Sequence, residues 1–207
     1  DTGIKIPDFF SVSPSIASET VNNAILIVAI ASVAILVYIT WAFRRVASPI
    51  RYGVSAIIAL LHDVAVVLGI FSILGRAFDL EVNAMFIAGI LTIIGYSVHD
   101  TIVVFDRIRE NLIRGVGHDL GVTINISIQD TIGRSLNTSL TLLFAIMALL
   151  LFGGPTISDF LIVLLIGITV GTYSSISIAS QVLLVWETGD FRKILRRLPL
   201  PFASKKP

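Results

Sequence analysis

Long apolar runs separated by short polar stretches dominate the chain. Five of them reach the length needed to cross a bilayer, about 20 residues at 1.5 Å each. They cover residues 21–43, 52–74, 82–105, 134–152 and 157–186. The pattern predicts an all-α membrane protein with five transmembrane helices, its membrane domain occupying residues 21–187. The last run is long for one span, so its "GTYSSISIAS" portion is expected to tilt or to extend beyond the bilayer. Residues 1–20 are polar, and residues 188–207 form a basic tail. The longest connection, 106–133, mixes apolar and polar positions and reads as a loop carrying a short helix on the membrane surface.

Composition agrees with that class. Of 207 residues, 55% are hydrophobic and 14% charged, against about 25% charged in a soluble domain. The absence of cysteine excludes disulfides, thiolate metal sites and cysteine nucleophiles. The net charge of +1 is uninformative, but its distribution is not. If the N-terminus lies outside, every Lys and Arg except Lys5 and Arg76 falls on the inner side. That bias sets an N-out, C-in orientation. Residues 1–20 then read as the end of a periplasmic domain, and an N-out start implies a further helix upstream. The basic tail sets topology. Attraction to anionic lipid or ribosomal RNA is its functional alternative.

Ionisable residues inside the apolar runs carry the candidate chemistry. An Asp near a bilayer centre costs about 2.5–3.5 kcal/mol on insertion scales, so such a residue usually faces an interior and has a role. His62–Asp63, His99–Asp100 and Arg134 are the three sites. Thr92, Tyr96, Asp100 and Arg107 recur at helical spacing on the third run. Arg134, Asn137, Thr138 and Thr141 form a polar stripe on the fourth. These two helices run in opposite directions, so the stripes are expected to face each other at comparable depth, bringing Arg134 to Asp100. A carboxyl that alternates between an arginine and an apolar setting can take up and release a proton. Plainer readings stand beside this one. Arg134 snorkels to headgroups, Asp100 and Arg134 form static glue, and Asp63 is simply hydrogen-bonded within the bundle. The histidines would bind metal only if four ligands converged, and no metal or cofactor is expected. Asp106/Arg109 and Arg107/Glu110 anchor the end of the third helix at i,i+3. Gly167 and Gly171, followed by Ser174 and Ser175, permit close helix approach, most simply within the bundle.

Four stretches together carry a resemblance. "GYSVHDTIVVFDRIREN" (95–111), "RSLNTSLT" (134–141), "ALLHDVAVVLG" (59–69) and "SVSPSIASE" (11–19) resemble the SecF family, the smaller subunit of the SecD–SecF protein-export complex. The resemblance covers nearly the whole chain. It implies one half of a resistance–nodulation–division (RND) type bundle: one helix, an external domain, then five helices. It implies proton-motive-force-driven assistance to preprotein translocation with SecD as pseudo-symmetric partner, beside the SecYEG channel and membrane lipids, without catalysis, cofactor or nucleic acid. The family's intramembrane Asp and Arg map onto Asp100 and Arg134, and Asp63 matches its "LHD". His99 stands where many members carry Asn, and Ser13 where Gly is frequent. The departure at His99 raises a role in tuning the proton site.

Two other classes remain to be weighed. An RND-like half-transporter for a lipid or small solute would differ in its external domain. An intramembrane aspartyl protease would use Asp63 and Asp100 as a proton-sharing pair. "YSVH" before Asp100 lacks an adjacent glycine, and an Arg is available to neutralise that aspartate, which argues against proteolysis.

Overall fold

A computed structural model describes residues 14–44, 46, 48–78 and 82–189. The periplasmic-domain reading of residues 1–20 falls largely outside them, as does most of the basic tail. The described chain is helical: α1 (Pro14–Ala42), α2 (Pro49–Phe78), α3 (Ala84–Arg114), α4 (Leu120–Phe152), α5 (Ser158–Ser174) and α6 (Ser180–Glu187). A 3₁₀ turn at Pro155–Ile157 precedes α5, and a π-helical turn at Ser175–Ala179 joins α5 to α6 as one rod. Among the described residues, five helices are long and apolar enough to cross a membrane.

The stretch 106–133 differs from its sequence reading. It is not a loop with a surface helix: α3 continues to Arg114, α4 starts at Leu120, and only a short turn separates them. The charged run "DRIREN" extends α3 through pairs one turn apart, Arg109 to Asp106 at 3.4 Å, Arg107 to Glu110 at 2.7 Å and Arg114 to Glu110 at 2.6 Å. Gly115 then ends the helix in the left-handed region, φ 66°, where a side chain would be strained. Asp119 restarts it, its carboxylate accepting the Val122 N–H at 2.7 Å. The span expected at 134–152 is thus the distal part of a 33-residue helix.

α3 and α5 form the centre. They run parallel, and their contacts repeat every four residues. A Cβ on Gly89 would lie 2.7 Å from Val163, and one on Gly167 2.0 Å from Ile93. A Cβ on Gly171 would lie 3.3 Å from Ser97, and Thr101 meets Ser175 at 2.9 Å. Without a hydrophobic drive between helices in lipid, such close approach is what packing relies on. Gly167 and Gly171 are therefore used inside the bundle. Asn83 fixes one end: it caps α3, accepting the Phe86 N–H, and donates to Asp159 of α5 at 2.7 Å. α1 is peripheral, with Ile25, Ile30, Val33, Val37 and Trp41 largely exposed.

The apolar core has two parts. One, toward the end where α3 begins, gathers Val67, Phe71, Phe86, Ile90, Ile93, Val163 and Ile168. The other, toward the arginine-rich end, gathers Ile39, Phe43, Tyr52, Phe105, Ile108 and Leu183. There Tyr52 stacks on Phe43 at 5.3 Å and meets the edge of Phe105 at 5.4 Å. Between the two lies a layer of buried polar residues.

Candidate functional site

This polar layer is assembled from α2, α3, α4 and α5. Asp63 lies level with Ser97, which bonds to it, and Asp100 is three residues, about 4.5 Å, further along α3 toward the basic end. Asp63 is 1% exposed and Asp100 6%. Ser97 of α3 donates to Asp63 Oδ2 at 2.5 Å, and His62 Nδ1 lies 3.1 Å from Asp63 Oδ1. Gly171 of α5 packs against this meeting: a Cβ there would sit 3.3 Å from Ser97 Cβ, tighter than usual, and in ordinary contact, 3.7 Å, with Asp63 Oδ2. Ser135 of α4 donates to Asp100 Oδ1 at 2.7 Å, while Asp100 Oδ2 has no hydrogen-bond partner among the described residues. Tyr96, one turn from Asp100, hydrogen-bonds Ser139 at 2.7 Å, and Ser139 reaches Thr172 of α5 at 2.6 Å.

The face-to-face arrangement of Arg134 and Asp100 is not what the structure shows. Arg134 is exposed and joins no ion pair among the described residues. Asn137, Thr138 and Thr141 are exposed too, the two threonines bonded, among the described residues, only to carbonyls one turn back on α4, Thr138 to Arg134 and Thr141 to Asn137. The face of α4 that meets α3 is displaced by one residue, about 100° around the helix. It consists of Thr123, Ser127, Thr131, Ser135 and Ser139, all buried and spaced by four. This ladder escaped the sequence reading, which followed the charge of Arg134. Its signal was the unbroken recurrence of a small hydroxyl residue every fourth position. His99, Thr92 and Arg134 thus lie on the outer surface of the bundle, whereas Asp63, Asp100 and Tyr96 line its interior.

Toward the basic end, charges form a connected network. Arg107 donates through Nε and Nη2 to Asp130 Oδ2, at 2.9 and 2.7 Å, and through Nη1 to Glu110 at 2.7 Å. Asn111 donates to Ser127 at 2.9 Å, and Arg51 pairs with Glu187. A cleft of about 310 Å³ opens there, lined by Asp106, Arg107, Glu110, Asp130, Thr131 and Arg134, with Val103. Arg134 lines this cleft and, among the described residues, forms no ion pair with Asp100. Among the described residues no three His, Asp or Glu side chains converge as a metal site would require.

Two buried carboxyls lie about one turn apart in this layer, each accepting a hydrogen bond from a serine, with His62 Nδ1 also beside Asp63. A serine hydroxyl donates to a carboxylate and can accept from a carboxylic acid, so either protonation state keeps a partner. A static ion pair would need an adjacent cation, and Asp100 has no Arg or Lys partner among the described residues.

Residues 1–189 match the family model described as protein export membrane protein SecD/SecF, C-terminal. The chain is 54% identical over 189 residues to protein translocase subunit SecF of Thermobaculum terrenum, covering 91% of this chain and 60% of that protein. It is 41% identical to SecDF of Bacillus subtilis, covering 90% of this chain and 25% of that one. The crystal structure of SecDF from Thermus thermophilus superposes with a TM-score of 0.73 at 41% identity, over 86% of this chain and 23% of that one. The chain thus spans about three-fifths of the SecF relative named here. By sequence and by fold, it belongs to the SecD/SecF family of protein-export membrane proteins.

Proposed function

We propose that the chain is the membrane part of a proton-motive-force-coupled, non-enzymatic accessory subunit of Sec protein export, working with SecD beside the SecYEG channel on a translocating preprotein. The observation that carries this reading is the pair of buried carboxyls, Asp63 and Asp100, held by serines between two apolar layers. A bundle that only needed to pack would gain from an apolar residue at either position, because burying an ionisable group costs several kcal/mol. In this reading Asp100 takes up and releases the proton and Asp63 is a second acceptor. Arg134 sets the potential of the cleft on the basic side, and His99 faces the surface where a partner packs. The basic end faces the cytoplasm by the positive-inside rule, giving N-out, C-in. The exposed polar face of α3 and α4, carrying His99, Arg134, Asn137, Thr138 and Thr141, is costly against lipid and suits SecD as the covering partner.

The test is translocation of a reporter preprotein into vesicles that carry the full-length complex under an imposed proton gradient. Asp100→Asn is nearly isosteric and removes only the exchangeable charge. A folded complex that loses gradient-dependent translocation supports the reading; full gradient dependence in Asp100→Asn refutes it.

A further inference from the structure

The α4 ladder contains one member that behaves differently. Thr123, Ser127, Thr131 and Ser139 each turn their hydroxyl back to the carbonyl four residues earlier, at 2.8, 2.7, 2.9 and 2.8 Å. This is the usual resting place of a helical Ser or Thr hydroxyl. Ser135 instead points its hydroxyl across to Asp100 Oδ1. Both groups are buried, Ser135 at 1% exposure. The neighbouring rung toward the basic end, Thr131, lines the charged cleft together with Arg134, and Val103 of α3, nearly one turn from Asp100, lines it too.

We propose that Ser135 is the proton relay between Asp100 and water in this cleft. The proposal rests on the reading of Asp100 as a proton carrier and names the route by which its proton leaves. The step conserves atoms and charge. The protonated Asp100 carboxyl passes its proton to Ser135 Oγ as the Ser135 hydroxyl proton passes to a water molecule entering from the cleft. This leaves a carboxylate, an intact serine and a hydronium ion. After the transfer the new hydroxyl proton already points at the Asp100 carboxylate, as it does in the structure. The reset, once Asp100 is protonated again, is a rotation that turns this proton away from Asp100 toward the cleft, through the position its ladder siblings occupy, where the Thr131 carbonyl can accept it. The charged groups around the exit are Asp106, Arg107 and Glu110 from α3 with Asp130 and Arg134 from α4. Arg107, bonded to Glu110 and Asp130, holds both ionised, so these five groups sum to one net negative charge at the exit and favour a hydronium ion there. His99 and Tyr96 are the titratable neighbours of Asp100 on α3, and Tyr96 is engaged by Ser139.

The experiment uses the full-length complex in vesicles of phosphatidylethanolamine and phosphatidylglycerol. The carboxyl band of Asp100 is identified in the infrared by its loss in Asp100→Asn, and its hydrogen–deuterium exchange is followed after transfer to D2O. Ser135→Ala should slow that exchange at least tenfold and reduce gradient-dependent translocation in proportion, while Ser135→Thr, which restores the hydroxyl, should return both to within about threefold of the parent. A thermal melt of each variant separates loss of relay from loss of fold. Exchange in folded Ser135→Ala as fast as in the parent overturns the proposal, and so does the absence of any Asp100 carboxyl band. If Asp100→Asn retains full coupling, the proton-carrier reading falls, whereas the exchange rate still decides whether Ser135 relays.

Discussion

At the level of single residues, the separation of Asp100 from Arg134 has a direct consequence. Sequence spacing placed them opposite each other; the structure gives Asp100 to Ser135 and leaves Arg134 exposed beside an acidic cleft. Removing one partner of a buried ion pair strands the other and costs about 3–5 kcal/mol. Arg134 has no such partner among the described residues, so Arg134→Met should change stability in detergent by no more than about 0.5 kcal/mol, as for an ordinary surface site. A melting temperature near that of the parent is the expected reading, and a large drop would restore the glue interpretation. Asn111 provides the contrast. It is buried and donates to Ser127 and Asp130, so Asn111→Leu should cost about 1–3 kcal/mol by leaving the Ser127 and Asp130 acceptors short of a donor.

At the level of helices, the glycine face of α5 decides how closely the central pair can approach. A Cβ on Gly167 would fall 2.0 Å from Ile93 Cδ1, and Ile93 is itself 1% exposed with little room to move. Gly167→Val should destabilise the bundle by about 1–3 kcal/mol through overpacking. Ile93→Ala in the same chain should recover much of that loss, which a double-mutant cycle in detergent would measure. The five spans were legible because a run of about 20 apolar residues has few alternative fates. The inner extensions of α3 and α4 were not, since their ion pairs and caps are polar and read as loop when hydropathy is the guide. The α4 ladder was missed for a related reason. Arg134 and Ser135 are neighbours in sequence, yet the 100° between them separates surface from interior, and only packing shows which side faces α3. The G-x-x-x-G was legible as a close-approach motif, but the sequence did not identify Ile93 and Ser97 as its partners.

At the level of the whole molecule, a polar layer lies between two apolar clusters, the hydroxyl ladder of α4 runs from it toward the basic end, and charged pairs gather there. The exposed polar face of α3 and α4 then calls for a partner. Photo-crosslinkers at Asn137 and Thr141 in the full-length complex should capture SecD, whereas the same probe at Ile30 of peripheral α1 should capture lipid. Crosslinks from Asn137 and Thr141 only to lipid would remove SecD from that face. The central claim concerns the proton itself. Proteoliposomes carrying the full-length complex and a trapped pH dye, challenged with a proton gradient, measure flux without any substrate. The parent should acidify the lumen faster than protein-free vesicles, and a folded Asp100→Asn complex should not exceed their leak; flux through Asp100→Asn equal to that of the parent would contradict the account.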